Sequence, residues 1–234
     1  MRRNRIQKII LIVIAFAVHS ASSQTIEPLP VKEWRSESAN TYVFYICGDG
    51  GLNNFSIELC NHLNQAGYDI SALNAKSYFW EKKTPEESAS DIAHYLGKLF
   101  HSKINYKIVM IGYSFGADVM PFIINKLPGA IKNKLAGVLL ISPSEYTDFE
   151  IHWLDILGVN KKRSMDVVDG INRMNVPRTI LFFGEDESGF PVDKAVKIDT
   201  LIKIPGGHHF DHDSRRLADI LIREIKRMKG ITSV

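Results

Sequence analysis

The chain has 234 residues, 45% hydrophobic and 24% charged, a composition that excludes a disordered or fibrous protein and suits one sizeable globular core. Its formal net charge is +3, but Arg2, Arg3, Arg5 and Lys8 supply four positive charges with no acidic residue beside them, so the remainder carries +3 − 4 = −1. Charge therefore gives no case for binding nucleic acid.

Those basic residues precede Ile9 to Val18, an apolar stretch of about ten residues, which is the size of a signal h-region and short for a bilayer span. Ala21-Ser22-Ser23-Gln24 then offers small residues for cleavage. Residues 1–23 read as a secretory signal peptide cut near Ser23, with an uncleaved N-terminal anchor as the alternative. No cysteine lies near this site, which argues against lipoprotein processing.

Residues 24–40, with Pro28 and Pro30, read as an extended lead-in, and residues 41–234 as a single domain. Thr41 to Ile46 is a β-branched and aromatic run that reads as a buried strand. Gly48-Asp49-Gly50-Gly51 follows, then a helix from about Phe55 to Ala66 with Phe55, Leu59 and Leu63 at helical spacing, stopped by Gly67. Tyr68 to Leu73 is a second strand. Thr84-Pro85-Glu86-Glu87 is a helix start with a capping box, and that helix runs to about Phe100. Lys107 to Ile111 is a strand, Ala117 to Leu127 a helix, and Leu135 to Ile141 a strand ended by Ser142-Pro143. Thr179 to Phe183 and Thr200 to Ile204 are strands, and Ser214 to Met228 is a final helix. Tyr146 to Pro177 is the least regular stretch and is expected to form at most a small cap.

Strands alternating with helices predict an α/β fold with a mostly parallel central sheet covered by helices on both faces. Chemistry then belongs at the carboxyl ends of the strands. Gly112-Tyr113-Ser114-Phe115-Gly116 lies between an apolar strand and an apolar helix, the setting in which G-x-S-x-G forms a nucleophile elbow. This pattern points to the α/β-hydrolase fold with Ser114 as nucleophile. The chain order of that fold is serine, acid, histidine. His208 and His209, after the last strand, are the candidate bases, with His208 preferred because it heads a Gly-His-x-Phe sequence. Asp186 and Glu187, after Phe183, are the candidate acids, with Glu187 preferred by its spacing from the strand-ending Gly184. The oxyanion donors are expected to be the N–H of Phe115 and the loop holding Asp49 and Gly50.

Asp118 sits in the first turn after the elbow, where the helix dipole favours a carboxylate. Tyr78, and with it Phe79 and Trp80, packs near the site or lines an acyl pocket, and Tyr113 is a further candidate for contact with substrate. His208, His209, Asp211, His212 and Asp213 are too nearly consecutive to converge on one metal ion, and no nucleotide motif is present, so neither metal nor organic cofactor is expected. Cys47 ends a strand pattern and Cys60 lies on an apolar helix face, so both read as buried free thiols rather than a disulfide.

Several of these segments together resemble the VirJ/AcvB family of bacterial virulence-associated proteins: Gly48 to Gly51, Tyr78-Phe79-Trp80 with Thr84-Pro85-Glu86, Ile111 to Asp118 with Pro121-Phe122, and Gly206 to Phe210. The resemblance spans about Thr41 to Met228 and is to the short, VirJ-like form. Leu52 departs from the tryptophan the family often has after GDGG, which puts substrate identity in doubt more than reaction type. The resemblance implies a periplasmic α/β-hydrolase with Ser114 as nucleophile and His208 or His209 as base. In the AcvB branch it implies hydrolysis of lysyl-phosphatidylglycerol, a lipid ester at the membrane surface, and in the VirJ branch contact with type IV secretion components. A lysyl substrate would bring an ammonium group, for which Asp118 is the expected partner.

Overall fold

The computed structural model describes residues 28–37, 39–100, 106–151 and 163–228. The expected signal peptide lies outside the described residues, as do residues 152–162 of the irregular stretch. In chain order the elements are β1 (Val31–Trp34), β2 (Thr41–Ile46), α1 (Asn54–Gln65), β3 (Asp69–Leu73), α2 (Ala75–Tyr78), α3 (Pro85–Phe100), β4 (Lys107–Tyr113), α4 (Phe115–Lys126), α5 (Gly129–Lys132), β5 (Leu135–Ile141), β6 (Tyr146–Thr147), β7 (Met165–Asp166), α6 (Val167–Asn172), β8 (Thr179–Gly184), β9 (Thr200–Ile204) and α7 (Ser214–Arg227).

Seven strands form one sheet in the order β1-β3-β2-β4-β5-β8-β9. All neighbours are parallel except β1, which runs antiparallel to β3 with Val31 opposite Leu73. The reason is visible in the residues: β2, β3, β5 and β8 are buried along their whole length, the signature of strands covered on both faces. α1 and α7 pack against each other, and α3, α4 and α6 pack together as a second group.

The lead-in differs from expectation, because its residues 31–34 join the sheet as β1. The strand is short and half exposed, so it carries no apolar run to reveal it. A polar chain running from the core to the surface fastens it: Tyr42 donates to Ser71, Ser71 meets Tyr95 at 2.5 Å, and the Tyr95 hydroxyl donates to Glu33 of β1. The capping box at α3 forms as its sequence predicts, with Thr84 N 2.8 Å from Glu87 Oε2 and Glu87 N 3.1 Å from Thr84 Oγ1. Cys47 and Cys60 are buried free thiols, and Cys47 Sγ accepts from Ala75 N at 3.3 Å. The irregular stretch pairs β6 with β7 antiparallel and lays α6 against α4.

The parallel arrangement gathers the loops after β2, β4, β5, β8 and β9 at one edge of the sheet. Those five loops carry Asp49, Ser114, Ser142, Glu187 and His208.

Candidate active site

Ser114 occupies the one-residue turn between β4 and α4 with φ 51° and ψ −121°, a conformation an L-residue adopts only under constraint. The constraint is supplied from both sides. Ser114 N donates to Ile141 O at 2.8 Å, and Ser114 O accepts from Ala117 N at 2.7 Å and Asp118 N at 3.0 Å. The turn is tight enough that a Cβ on Gly116 would lie 2.1 Å from Ile46 O, which requires glycine there.

The structure brings Ser114, His208 and Glu187 into one hydrogen-bonded line. His208 Nε2 lies 2.9 Å from Ser114 Oγ, and His208 Nδ1 lies 2.9 Å from Glu187 Oε2. An ionised carboxylate only accepts, so Nδ1 donates to Glu187 and Nε2 is left to accept from the serine. Glu187 Oε1 accepts two more bonds, from Ser142 Oγ at 2.6 Å and Gly184 N at 2.7 Å. Burial pushes the Glu187 carboxyl up, but the bonds from His208, Ser142 and Gly184 outweigh it and hold it below the usual carboxylate range. The bond to Glu187 raises His208 above the ordinary histidine value against the opposing effect of burial, with the charges of Glu187, Asp118 and Asp49 adding to the rise.

The neighbouring candidates are placed elsewhere. His209 Nδ1 lies 2.9 Å from the Tyr113 hydroxyl, its ring stacks on His212, and burial together with the nearby His208 lowers it. Asp186 is exposed, its backbone N donating to Gly206 O at 3.2 Å.

Three expected substrate contacts need correction. Asp118 is 1% exposed and its Oδ1 accepts from Ser144 N at 2.6 Å, so it fastens the loop after β5 and is closed to a substrate ammonium group. Burial raises it to about 7, offset in part by Ser144, Arg163 and His208. Tyr113 is 5% exposed, with its ring stacked on His208 and its hydroxyl 3.2 Å from His208 O, so it braces the histidine loop from behind. Tyr78 is buried and donates to Asp91 Oδ2 at 2.6 Å, which ties it to α3. Its neighbour Phe79 packs edge-on against Phe115 at 5.2 Å.

Ser142 is the site residue that the sequence reading missed. It is buried, and it sits just before Pro143 with φ 50°, where the residue ahead of a proline is normally extended. A polar residue at the carboxyl end of an otherwise apolar strand was the signal that pointed to it. Gly48 borders Ser114 closely, a Cβ there lying 3.4 Å from Ser114 Cβ, and the next two residues of that loop, Asp49 and Gly50, are exposed. The N–H of Phe115 opens α4 and has no carbonyl one turn earlier within the helix to accept it. Among the described residues, no group of three or more His, Cys, Asp or Glu side chains is placed to hold a metal ion.

A mostly parallel sheet with a serine elbow after β4, an acid after β8 and a histidine after β9 defines an α/β-hydrolase fold. The chain belongs to the VirJ family: the family described as "Bacterial virulence protein (VirJ)" matches residues 40–229. No curated protein matches the sequence significantly. Among solved structures, Est1E from Butyrivibrio proteoclasticus aligns with TM-score 0.60 at 13% identity, covering 85% of this chain and 92% of its own. A lipase-esterase related protein from Clostridium acetobutylicum aligns with TM-score 0.59 at 15% identity, covering 86% and 99%. A dienelactone hydrolase-like protein from Klebsiella pneumoniae gives 0.57 at 13%, covering 87% and 93%. At such identities these likenesses establish the scaffold, which is that of esterases and related hydrolases.

Proposed function

We propose that the chain is an exported serine hydrolase that cleaves a carboxylic ester, and that its substrate is an aminoacylated phospholipid of the lysyl-phosphatidylglycerol type. The observation that carries the reading is the unbroken line from Ser114 Oγ through His208 to Glu187. Ser114 attacks the ester carbonyl while His208 Nε2 takes its proton. Glu187 holds the imidazole in the required tautomer and stabilises the imidazolium. The Phe115 N–H and the backbone of the Asp49-Gly50 loop face the developing oxyanion. His208 returns the proton to the leaving alcohol, and water then releases the acyl group by the same route.

The resemblance to the AcvB branch, through the segments shared with it, supports the lipid substrate, and the N-terminal basic and apolar segment supports export to the periplasm. With Asp118 closed off, Asp49, an exposed carboxylate in the loop that borders Ser114 through Gly48, is the proposed partner of a substrate ammonium group. Asp49→Asn is expected to lower kcat/KM for lysyl esters about tenfold while leaving neutral esters of similar size unchanged. Equal effects on both would remove the cationic substrate from the proposal and leave the hydrolase. Membership of the VirJ family supports a second role, contact with a secretion-system protein. Co-purification of such a partner with the Ser114→Ala protein would show that this role is separate from chemistry.

A further inference from the structure

We propose that Arg216 is a positioning residue for His208, holding in place a backbone loop that would not otherwise keep its shape. The inference rests on the reading of His208 as the general base.

The loop between β9 and α7 has an uncommon conformation. Phe210, Asp211 and His212 have φ of 49°, 55° and 59°, three consecutive non-glycine residues in the left-handed region. L-residues visit that region singly and at a cost, so a run of three persists only where surrounding contacts impose it. Local backbone bonds supply part of the constraint: Phe210 N to Gly207 O at 2.9 Å, His212 N to His209 O at 2.8 Å, and Asp213 N to Phe210 O at 3.0 Å. Phe210 is fully buried and adds an anchor.

Arg216 supplies the rest. Its Nη2 donates to Pro205 O at 3.2 Å, to Phe210 O at 3.1 Å and to Asp211 Oδ2 at 3.3 Å. The two carbonyls bracket residues 206–209, the segment that carries His208. All three contacts are made by Nη2, so one nitrogen bridges both ends of the histidine loop, and the rigid planar guanidinium sets its angle in a way that a flexible ammonium stem does not. Asp211 is drawn over Gly206, whose φ is 99° and where a Cβ would lie 2.6 Å from Asp211 Oδ1. Gly206, Asp211 and Arg216 therefore form one interlocked unit in the loop that carries His208.

The position of Arg216 in α7 supports this role. It lies in the first turn, where Asp213 caps the helix by accepting from Arg216 N at 2.9 Å and where the helix dipole disfavours a cation.

The test compares Arg216→Ala and Arg216→Lys with the parent protein by fluorophosphonate inactivation rate, thermal melting, and the low-field proton NMR resonance of His208 Nδ1–H. Arg216→Ala is expected to stay folded, to lose the low-field resonance, and to react about tenfold or more slowly. Free guanidinium is expected to restore part of the rate, and Arg216→Lys to restore little of it. An unshifted resonance and a rate within about twofold of the parent in folded Arg216→Ala would overturn the proposal. If Arg216→Ala fails to fold, Arg216→Lys decides by the same two readouts. If the parent protein itself does not react with the probe, the hydrolase reading fails, and the His208 resonance still decides the role of Arg216.

Discussion

At the scale of single residues, the site depends on how Glu187 is held. Its carboxylate takes three donors, one of them the neutral hydroxyl of Ser142 at 2.6 Å. A hydrogen bond to a charged group contributes about 1.5–3 kcal/mol, so Ser142→Ala is expected to lower kcat by about tenfold or more with KM nearly unchanged. Steady-state kinetics on an activated ester checks this, and a change confined to KM would place Ser142 in binding instead. The pH dependence has a definite sign. His208 must be neutral to accept the serine proton, and its bond to Glu187 raises it above 6.5. Under the proposed mechanism, activity is therefore expected to rise with pH through an inflection above the ordinary histidine value. Glu187→Gln removes the charge that raises His208, so the inflection in that variant is expected to move to lower pH on whatever activity is left.

At the scale of elements, the elbow is the part with least freedom. Gly116 lies where a Cβ would meet Ile46 O at 2.1 Å, a backbone atom that cannot step aside without parting α4 from β2. Gly116→Ala is expected to destabilise the fold by about 1–3 kcal/mol or more, read as a lowered Tm. An unchanged Tm would mean that the strand and helix are not in such close contact. Much at this scale was legible in the sequence. The limits of β5 and β9 coincide with the expected runs, because apolar β-branched stretches bounded by turn residues leave little choice. β1 was not legible, since Val31–Trp34 is a half-exposed edge held by side-chain hydrogen bonds to distant residues. α2, α5 and α6 are too short to show a helical period. The elbow serine was readable from its flanking glycines. Spacing from Gly184 favoured Glu187 over Asp186 and the Gly-His-x-Phe pattern favoured His208 over His209, and the hydrogen bonds fall on the favoured pair, although how the loops after β8 and β9 turn is what decides it. Asp118 misled because its position after the elbow is consistent with either a substrate contact or an internal brace, and only its burial separates the two.

At the scale of the whole molecule, one buried carboxyl couples stability to pH. Asp118 is raised by burial from 3.8 to about 7. A carboxyl raised in the folded state contributes stability that is present below its unfolded value and lost as pH rises through about 7. Asp118→Asn keeps an acceptor for Ser144 N and removes the ionisation. The parent protein is therefore expected to lose stability between about pH 4 and 7 relative to Asp118→Asn, and no more above that, as measured by paired thermal or urea unfolding. Parallel curves for the two proteins across that range would show that Asp118 does not titrate there.

The central claim is that Ser114 is an activated nucleophile, with His208 drawing its proton and Glu187 holding the histidine. Fluorophosphonate labelling of the purified protein beside its Ser114→Ala variant tests it most directly. The account predicts one label per chain on Ser114, absent in Ser114→Ala and strongly slowed in His208→Ala. A well-folded parent protein that takes no label, or a label that persists in Ser114→Ala, would contradict it.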